Sequence, residues 1–336
     1  MRMRARLFTP LVLAAALATA ACGESGSSGT GGDSAAGGSG SGSSAGATCA
    51  PVKGDQLVVL QDDKNLQNAD NVLPAVNGAA ASGNPALIST LDKVSAVLTT
   101  DDLVQMNADV DVQRKNAADV AADYVKSKKL DSGQSGGSGK VVVGGSNFTE
   151  STVLANVFAD TLKAAGFDAS VQTVGNRELY LQALESGEIQ VVPEYLSTLT
   201  EFLDGDDNRQ VASGDVDKTF AALTPLAQSK GLAVGTPSKA ADQNAFAVTK
   251  AFADKVGVTT LSELGQKCSD GSLVLAGPTE CPTRPFCQPG LEQTYGLEFA
   301  SFSSTDAGGP LTKAALQQGK ASIGLVFSSD GALAKQ

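Results

Sequence analysis

Short apolar runs of strand type alternate along this chain with stretches whose apolar residues recur every three or four positions, the helical rhythm. Val141, Val142 and Val143 follow a Gly/Ser stretch and predict a buried strand. From about Glu150, the residues Leu154, Val157, Phe158 and Leu162 share one helix face. Thr149 or Ser151 would cap its first amides, and Gly166 would end it. Residues 169–173 predict a second strand, 178–185 a helix stopped at Gly187, and 189–192 a strand stopped at Pro193. This β-α-β-α-β order predicts a largely parallel sheet with helices on its faces. In such sheets ligands bind at loops beyond the carboxyl ends of strands, here 146–149, 175–177 and 193–198.

A second set of elements follows the polar stretch 203–208. Residues 217–230 predict a helix, 245–248 a strand running into a helix over 250–255, and 273–275 and 323–327 further strands. Residues 311–318 predict a helix ended by Gly319. The reading is a second α/β lobe over 204–325, with 326–336 crossing back towards the first. Ahead of these lies a segment, 49–131, with a strand at 57–60 and a helix placing Leu87, Leu91, Val94 and Leu98 on one face. Thr100 opens another helix as its expected cap, and 117–129 predicts a last one. These elements make a poor core alone and are expected to complete the first lobe, over 140–203. Residues 132–139 are Gly- and Ser-rich, a flexible linker.

The front of the chain is of another kind. Arg2, Arg4 and Arg6 precede a short apolar run and then Cys22, the layout of a secretory signal over 1–21 and too short for a stable membrane span. Cys22 stands where a bacterial lipoprotein would be lipidated, although Thr19 departs from the commoner Leu. Cleavage to a free secreted protein is the competing reading. Residues 22–48 then read as lipid anchor and tether, of roughly 25–30 Å root-mean-square reach. The expected location is the outer face of a cell membrane.

Composition narrows the chemistry. The chain carries 25 basic and 36 acidic residues, net −11, which argues against a nucleic-acid partner. There is no histidine, and no GxSxG, P-loop or dinucleotide fingerprint. No enzymatic activity, no cofactor and no metal site is expected. Cys49, Cys268, Cys281 and Cys287 form an even set in an exported chain, so disulfides are expected. Their pairing is open, with a local Cys281–Cys287 bridge favoured by the tight loop between them.

Gly145-Ser-Asn-Phe-Thr-Glu150, then Gly187-Glu-Ile189, Pro193-Glu-Tyr195 and Ser197-Thr198, resemble the opening of the glycine betaine/choline/carnitine substrate-binding proteins of ABC importers. Gln288-Pro-Gly-Leu-Glu-Gln-Thr-Tyr-Gly-Leu297 and Ser328-Ser-Asp-Gly331 resemble later segments. In that family a strand like Leu57-Val-Val-Leu60, an acidic pair like Asp62-Asp63 and helices like those at 103–110 and 117–130 come last; here they come first. The resemblance therefore implies an α/β, two-lobed periplasmic-binding-protein fold, type II-like and circularly permuted. It further implies that 57–60 shares a lobe with 141–143, with Gln336 near that strand's start. An intact export signal at the front points to a natural permutation.

The resemblance also implies the site. Tyr195, of the Pro-Glu-Tyr motif, would belong to an aromatic cage for a quaternary ammonium group, held by cation–π attraction. Phe246 and Phe327 stand where the family usually has tyrosine, and the chain has four tyrosines and no tryptophan. A core role is the competing reading for each phenylalanine. Polar candidates are Asn147 and Thr149 near a helix start, Arg177 for a carboxylate, Ser197 and Thr198 as donors, Asp242 and Asn244 opening a strand, and Asp62 and Asp63 from the displaced segment. The implied partners are a small zwitterionic or cationic solute, an ABC permease subunit and, through the lipid, a membrane. A monomer closed in cis is expected, with domain swapping open because eight linker residues reach roughly 15 Å. Competing functions are capture of another small polar metabolite, such as an amino acid, or a surface lipoprotein without transport.

Overall fold

The computed structural model describes residues 49–133, 135–175, 177–205 and 210–334. The expected signal, Cys22, the tether and Gln336 lie outside the described residues. Among the described residues no helix is long and apolar enough to cross a membrane.

The strands in chain order are β1 (Leu57–Leu60), β2 (Val72–Asn77), β3 (Lys140–Gly145), β4 (Asp168–Thr173), β5 (Val191–Tyr195), β6 (Leu232–Val234), β7 (Asn244–Thr249), β8 (Leu273–Gly277), β9 (Phe299–Ser304) and β10 (Ile323–Phe327). They form two five-stranded sheets, ordered β4-β3-β5-β2-β6 and β1-β7-β10-β8-β9. In the first, β4, β3 and β5 run parallel, and β2 and β6 pair antiparallel. In the second, β9, β8 and β10 run parallel, and β7 and β1 pair antiparallel. The two-lobed α/β architecture read from the sequence is thus present. The same strand pattern occurs twice.

Lobe 1 packs its helices on the first sheet. The helix Thr149–Ala165 is central, burying Leu154, Val157, Phe158 and Leu162 as its spacing predicts. Each such side chain stabilises by roughly 1.5–3 kcal/mol on burial. Leu87 and Leu91 of Ala86–Val97, Leu103 and Met106 of Thr100–Asp111, and Val120 and Tyr124 of Ala117–Ser127 join the same cluster. The front segment's helices therefore complete lobe 1. Gly166 closes the central helix with φ 105°, where an L side chain would be strained.

Several boundaries differ from expectation. β1 does not lie with β3; it pairs with β7 at the edge of the second sheet. The front segment therefore feeds both lobes, since its next strand, β2, enters the first sheet between β5 and β6. The sequence reading missed β2 because its apolar residues do not alternate with polar ones; it is buried on both faces. β5 runs through Pro193, which stands opposite Pro74 of β2 at a position where the two strands exchange no backbone hydrogen bond. Lobe 1 also extends past 203: the helix Val216–Ser229 contributes Leu223 and Ala227 to the lobe 1 cluster around Leu196 and Leu199, and β6 is lobe 1's edge. Thr99, not Thr100, caps Thr100–Asp111, in a reciprocal box with Asp102.

Lobe 2 buries Phe246, Phe252, Leu261 and Leu273 around the cystines Cys49–Cys268 and Cys281–Cys287. The chain passes between lobes at 61–71, 235–243 and 328–333. These crossings are tied together. Asn71 bridges Ala241, Val72 N–H donates to Ala240 O at 2.8 Å, and Ser328 N–H donates to Gln243 O at 2.9 Å.

Candidate functional site

Three adjoining cavities line the gap between the lobes beside these crossings. One of about 400 Å³ is bounded by Asp70, Ser197, Thr198, Asp242, Asn244 and Phe327. A second of about 370 Å³ is bounded by Asn107, Phe148, Thr149, Glu150, Asp242 and Phe327. A third of about 310 Å³ reaches Phe286, Asn244 and Phe327. Asp242 and Phe327 are common to the first two, at the ends of the crossings into and out of the lobe 2 sheet. Phe148 and Phe327 are 45% and 40% exposed, and both line the second cavity.

Carboxylates set the electrostatics. Glu150 lies in the first turn of Thr149–Ala165 and is buried. Its oxygens accept from the Tyr195 hydroxyl at 2.6 Å and from Asn107 Nδ2 at 2.7 Å. Burial holds its pKa above the ordinary carboxylate range. Asp242 accepts from Ser329 Oγ at 2.8 Å and is pushed up to about 7, first by burial and then by the nearby Glu150 charge. Asp70 accepts from Thr198 N at 2.9 Å and from its hydroxyl; burial lifts it to about 6. The basic groups are engaged. Lys313 Nζ meets Asp330 at 2.6 Å, and Arg284 meets Glu280 at 3.4 Å.

The structure brings some expected residues here and not others. Thr149, Ser197, Thr198, Asp242, Asn244 and Phe327 line the cavities. Ser197 Oγ donates to Ala69 O at 2.6 Å and Thr149 Oγ1 to Asp111 at 2.7 Å, so both also fix the walls. Tyr195 is 8% exposed and sits behind the wall, its ring 6.5 Å from that of Phe148 and its hydroxyl on Glu150. Asn147 is exposed in the turn before the helix.

Four expectations are corrected. Phe246 is 1% exposed in the lobe 2 core, opposite Leu60 on one side and Leu325 on the other. Arg177 turns away to Glu194, Nε at 3.0 Å and Nη2 at 2.9 Å. Burial opposes the Arg177 charge, but Glu194 outweighs it and holds the guanidinium above its usual value. Asp62 closes its own loop, accepting from Leu66 N at 2.9 Å, Gln67 N at 2.7 Å and the Tyr295 hydroxyl. Asp63 is exposed and caps Ser262 N at 3.1 Å.

Residues the sequence did not single out carry much of the site: Phe148 and Glu150, inside the quoted Gly-Ser-Asn-Phe-Thr-Glu motif, Phe286 inside the cystine loop, and Asn107. Adjacency to the motif was the available signal for the first pair. Nothing local marked Asn107, whose place depends on a helix from the front segment packing on Thr149–Ala165.

A sequence model of the OpuAC family, described as the substrate binding domain of ABC-type glycine betaine transport system, matches residues 47–127 and 139–336. The chain is 28% identical over 201 residues to a glycine-betaine-binding protein of Pseudomonas aeruginosa, covering 57% of this chain and 62% of that protein. It is 25% identical over 203 residues to the glycine betaine-binding protein YehZ of Escherichia coli, covering 58% and 66%. The chain thus spans less than two thirds of the length of these curated relatives. A crystal structure titled as a glycine betaine/carnitine/choline ABC transporter aligns with a TM-score of 0.44 at 20% identity, over 58% of this chain and 70% of that one. The family match, over most of the chain in two blocks, shows that this protein belongs to the substrate-binding domains of ABC-type glycine betaine transport systems.

Proposed function

We propose that this protein captures a small quaternary ammonium solute, of the glycine betaine, choline or carnitine kind, between its lobes and delivers it to an ABC permease. The observation that carries this is the gathering of Phe148, Phe327 and Phe286 around adjoining cavities whose charged groups are mainly carboxylates. Aromatic faces attract a methylated cation, and the carboxylates balance it. Tyr195 then acts from behind, holding Glu150, instead of offering a cage face. Lobe closure about the crossings at 61–71, 235–243 and 328–333 would enclose the ligand.

The same reading places the protein outside the cytoplasm, anchored through a lipid on Cys22 and acting as a monomer. It also takes the chain order as a circular permutation of the family's. Two observations support that order. The family match falls in two blocks, 47–127 and 139–336. Leu333 and Ala334 line one cavity with Gln56, Leu57, Val58 and Val59, so the segments that the family would join lie side by side.

A thermal-shift and calorimetry panel of glycine betaine, choline, carnitine and amino acids tests the binding. A saturating ligand should stabilise by on the order of 2–4 kcal/mol, and Phe327→Ala should weaken it about tenfold or more. Silence from every quaternary ammonium compound would end this reading.

A further inference from the structure

We propose that Val59 and Val104 set the ligand affinity of this protein from outside the cleft, because the cavity they line, behind the 328–333 crossing, widens as the cleft closes. The lobes turn about the contact of Gly331 with Ala108. The inference rests on lobe closure as read above and adds to it residues that never touch the ligand.

The cavity holds about 470 Å³ and has a wall from each lobe. Leu57 and Val59 of β1 stand on the lobe 2 side, Thr100 and Val104 of Thr100–Asp111 on the lobe 1 side, and Leu333 and Ala334 beyond the crossing close it. The same helix serves the cleft with its other end, where Asn107 and Asp111 bound the 370 Å³ cavity. Thr100, Val104, Asn107 and Asp111 are spaced by four, three and four residues, so they form one stripe. The first half of that stripe faces the back cavity and the second half faces the cleft.

Gly331 lies where the two halves meet. A Cβ added there would come within 2.5 Å of Ala108 N and 2.8 Å of the Asn107 carbonyl carbon. The turn Gly331–Leu333 therefore rests backbone to backbone on the middle of the helix, with no side chain between them. Such a contact is close-packed and resists compression. Cleft and back cavity lie on opposite sides of it. A rotation of the lobes about it that narrows one widens the other.

Bulk in the back cavity then acts on the ligand-free equilibrium. Val59 is 38% exposed there, with Val104 on the wall of the other lobe. A larger side chain at either place is accommodated when the cavity is wide, with the cleft closed. It is overpacked when the cavity is narrow, with the cleft open. Filling therefore raises the fraction of closed molecules before ligand arrives. Apparent affinity rises in proportion to that fraction.

The test joins calorimetry, with glycine betaine as probe, to distances between spin labels in the full chain on a Cys22→Ser background. Cys49, Cys268, Cys281 and Cys287 are held in cystines, so labels go to introduced cysteines. Val112→Cys with Leu311→Cys reads the cleft mouth, since both residues are exposed, on opposite lobes, beside cavity-lining Asp111 and Gly309. Gln56→Cys with Gln105→Cys reads the back cavity. Glycine betaine should shorten the first distance and lengthen the second. Without ligand, Val59→Phe should shift both distances the same way, and it should tighten glycine betaine binding by roughly three- to tenfold. Val104→Phe is the second filling variant, and a retained melting transition shows each folded. Mouth and back distances that move in the same sense, or a ligand-free mouth distance unmoved in the folded filling variants, overturn this inference and leave the proposed function standing. A shortened ligand-free mouth with no heat from any quaternary ammonium compound supports this inference and overturns the proposed function.

Discussion

Lobes 1 and 2 carry the same strand pattern, three parallel strands followed by two antiparallel ones, yet they are held by different chemistry. Lobe 1 has a broad helical layer over its sheet and, under one edge, a buried ion pair between Arg177 and Glu194 with the Tyr180 hydroxyl 2.8 Å from Glu194. Lobe 2 has a thinner covering and both described cystines. A small core needs staples, and a large one tolerates internal charge if that charge is satisfied. The lobes also draw unequally on the front segment. Lobe 1 takes an inner strand and the helices over 78–127, whereas lobe 2 takes one edge strand and Cys49.

The largest expected effect breaks that inequality open. Deleting residues 49–131 removes β2 from between β5 and β6, so lobe 1 should lose cooperative folding outright. Lobe 2 would lose its edge and one cystine. Calorimetry should show no lobe 1 transition. Supplying the same residues after Ala334 instead of in front should restore it. A cooperative, monomeric melt of lobe 1 from 140–334 alone would refute both the accounting and the permuted order.

Next in size is Arg177→Ala. Glu194 has no exposed side-chain surface, so loss of Arg177 strands a buried charge. The cost should be about 3–5 kcal/mol in chemical denaturation. It should fall on lobe 1, with ligand rank order unchanged, because Arg177 is not in the cleft. A selective loss of carboxylate-bearing ligands would instead return Arg177 to the site.

The comparison also explains what the sequence could tell. Helix Thr149–Ala165 was legible because its burying face is regular and Gly166 marks its end. β2 and β6 were not, being short and without alternation, and defined by their neighbours. β1 was found as a strand but assigned to the wrong sheet, since strand sequence carries no record of its partner. At the site, Thr149, Ser197 and Thr198 line the cavities, whereas Tyr195 and Asn147, from the same motifs, do not. Arg177 and Phe246 failed because only three-dimensional packing shows which way a side chain turns. The opposite case is Asn107, polar, mid-helix and unremarkable until Glu150 is set against it.

The smallest effect concerns the gap the two lobes share. Glu150 belongs to lobe 1's central helix, and Asp242 sits just before β7 of lobe 2. Burial holds both above the ordinary carboxylate range, and the Glu150 charge lifts Asp242 further. A carboxyl whose folded pKa lies above its unfolded value holds more protons when folded. Its contribution is full below about pH 4 and is lost as pH rises through about 7. The ligand-free protein should therefore lose stability across that window, and Asp242→Asn should flatten the loss. At about pH 8 the variant should be more stable than the parent by on the order of 1–2 kcal/mol. Denaturation at several pH values measures this. Equal slopes for parent and variant would mean that Asp242 is not held protonated in the folded protein, by burial or by Glu150 across the cleft.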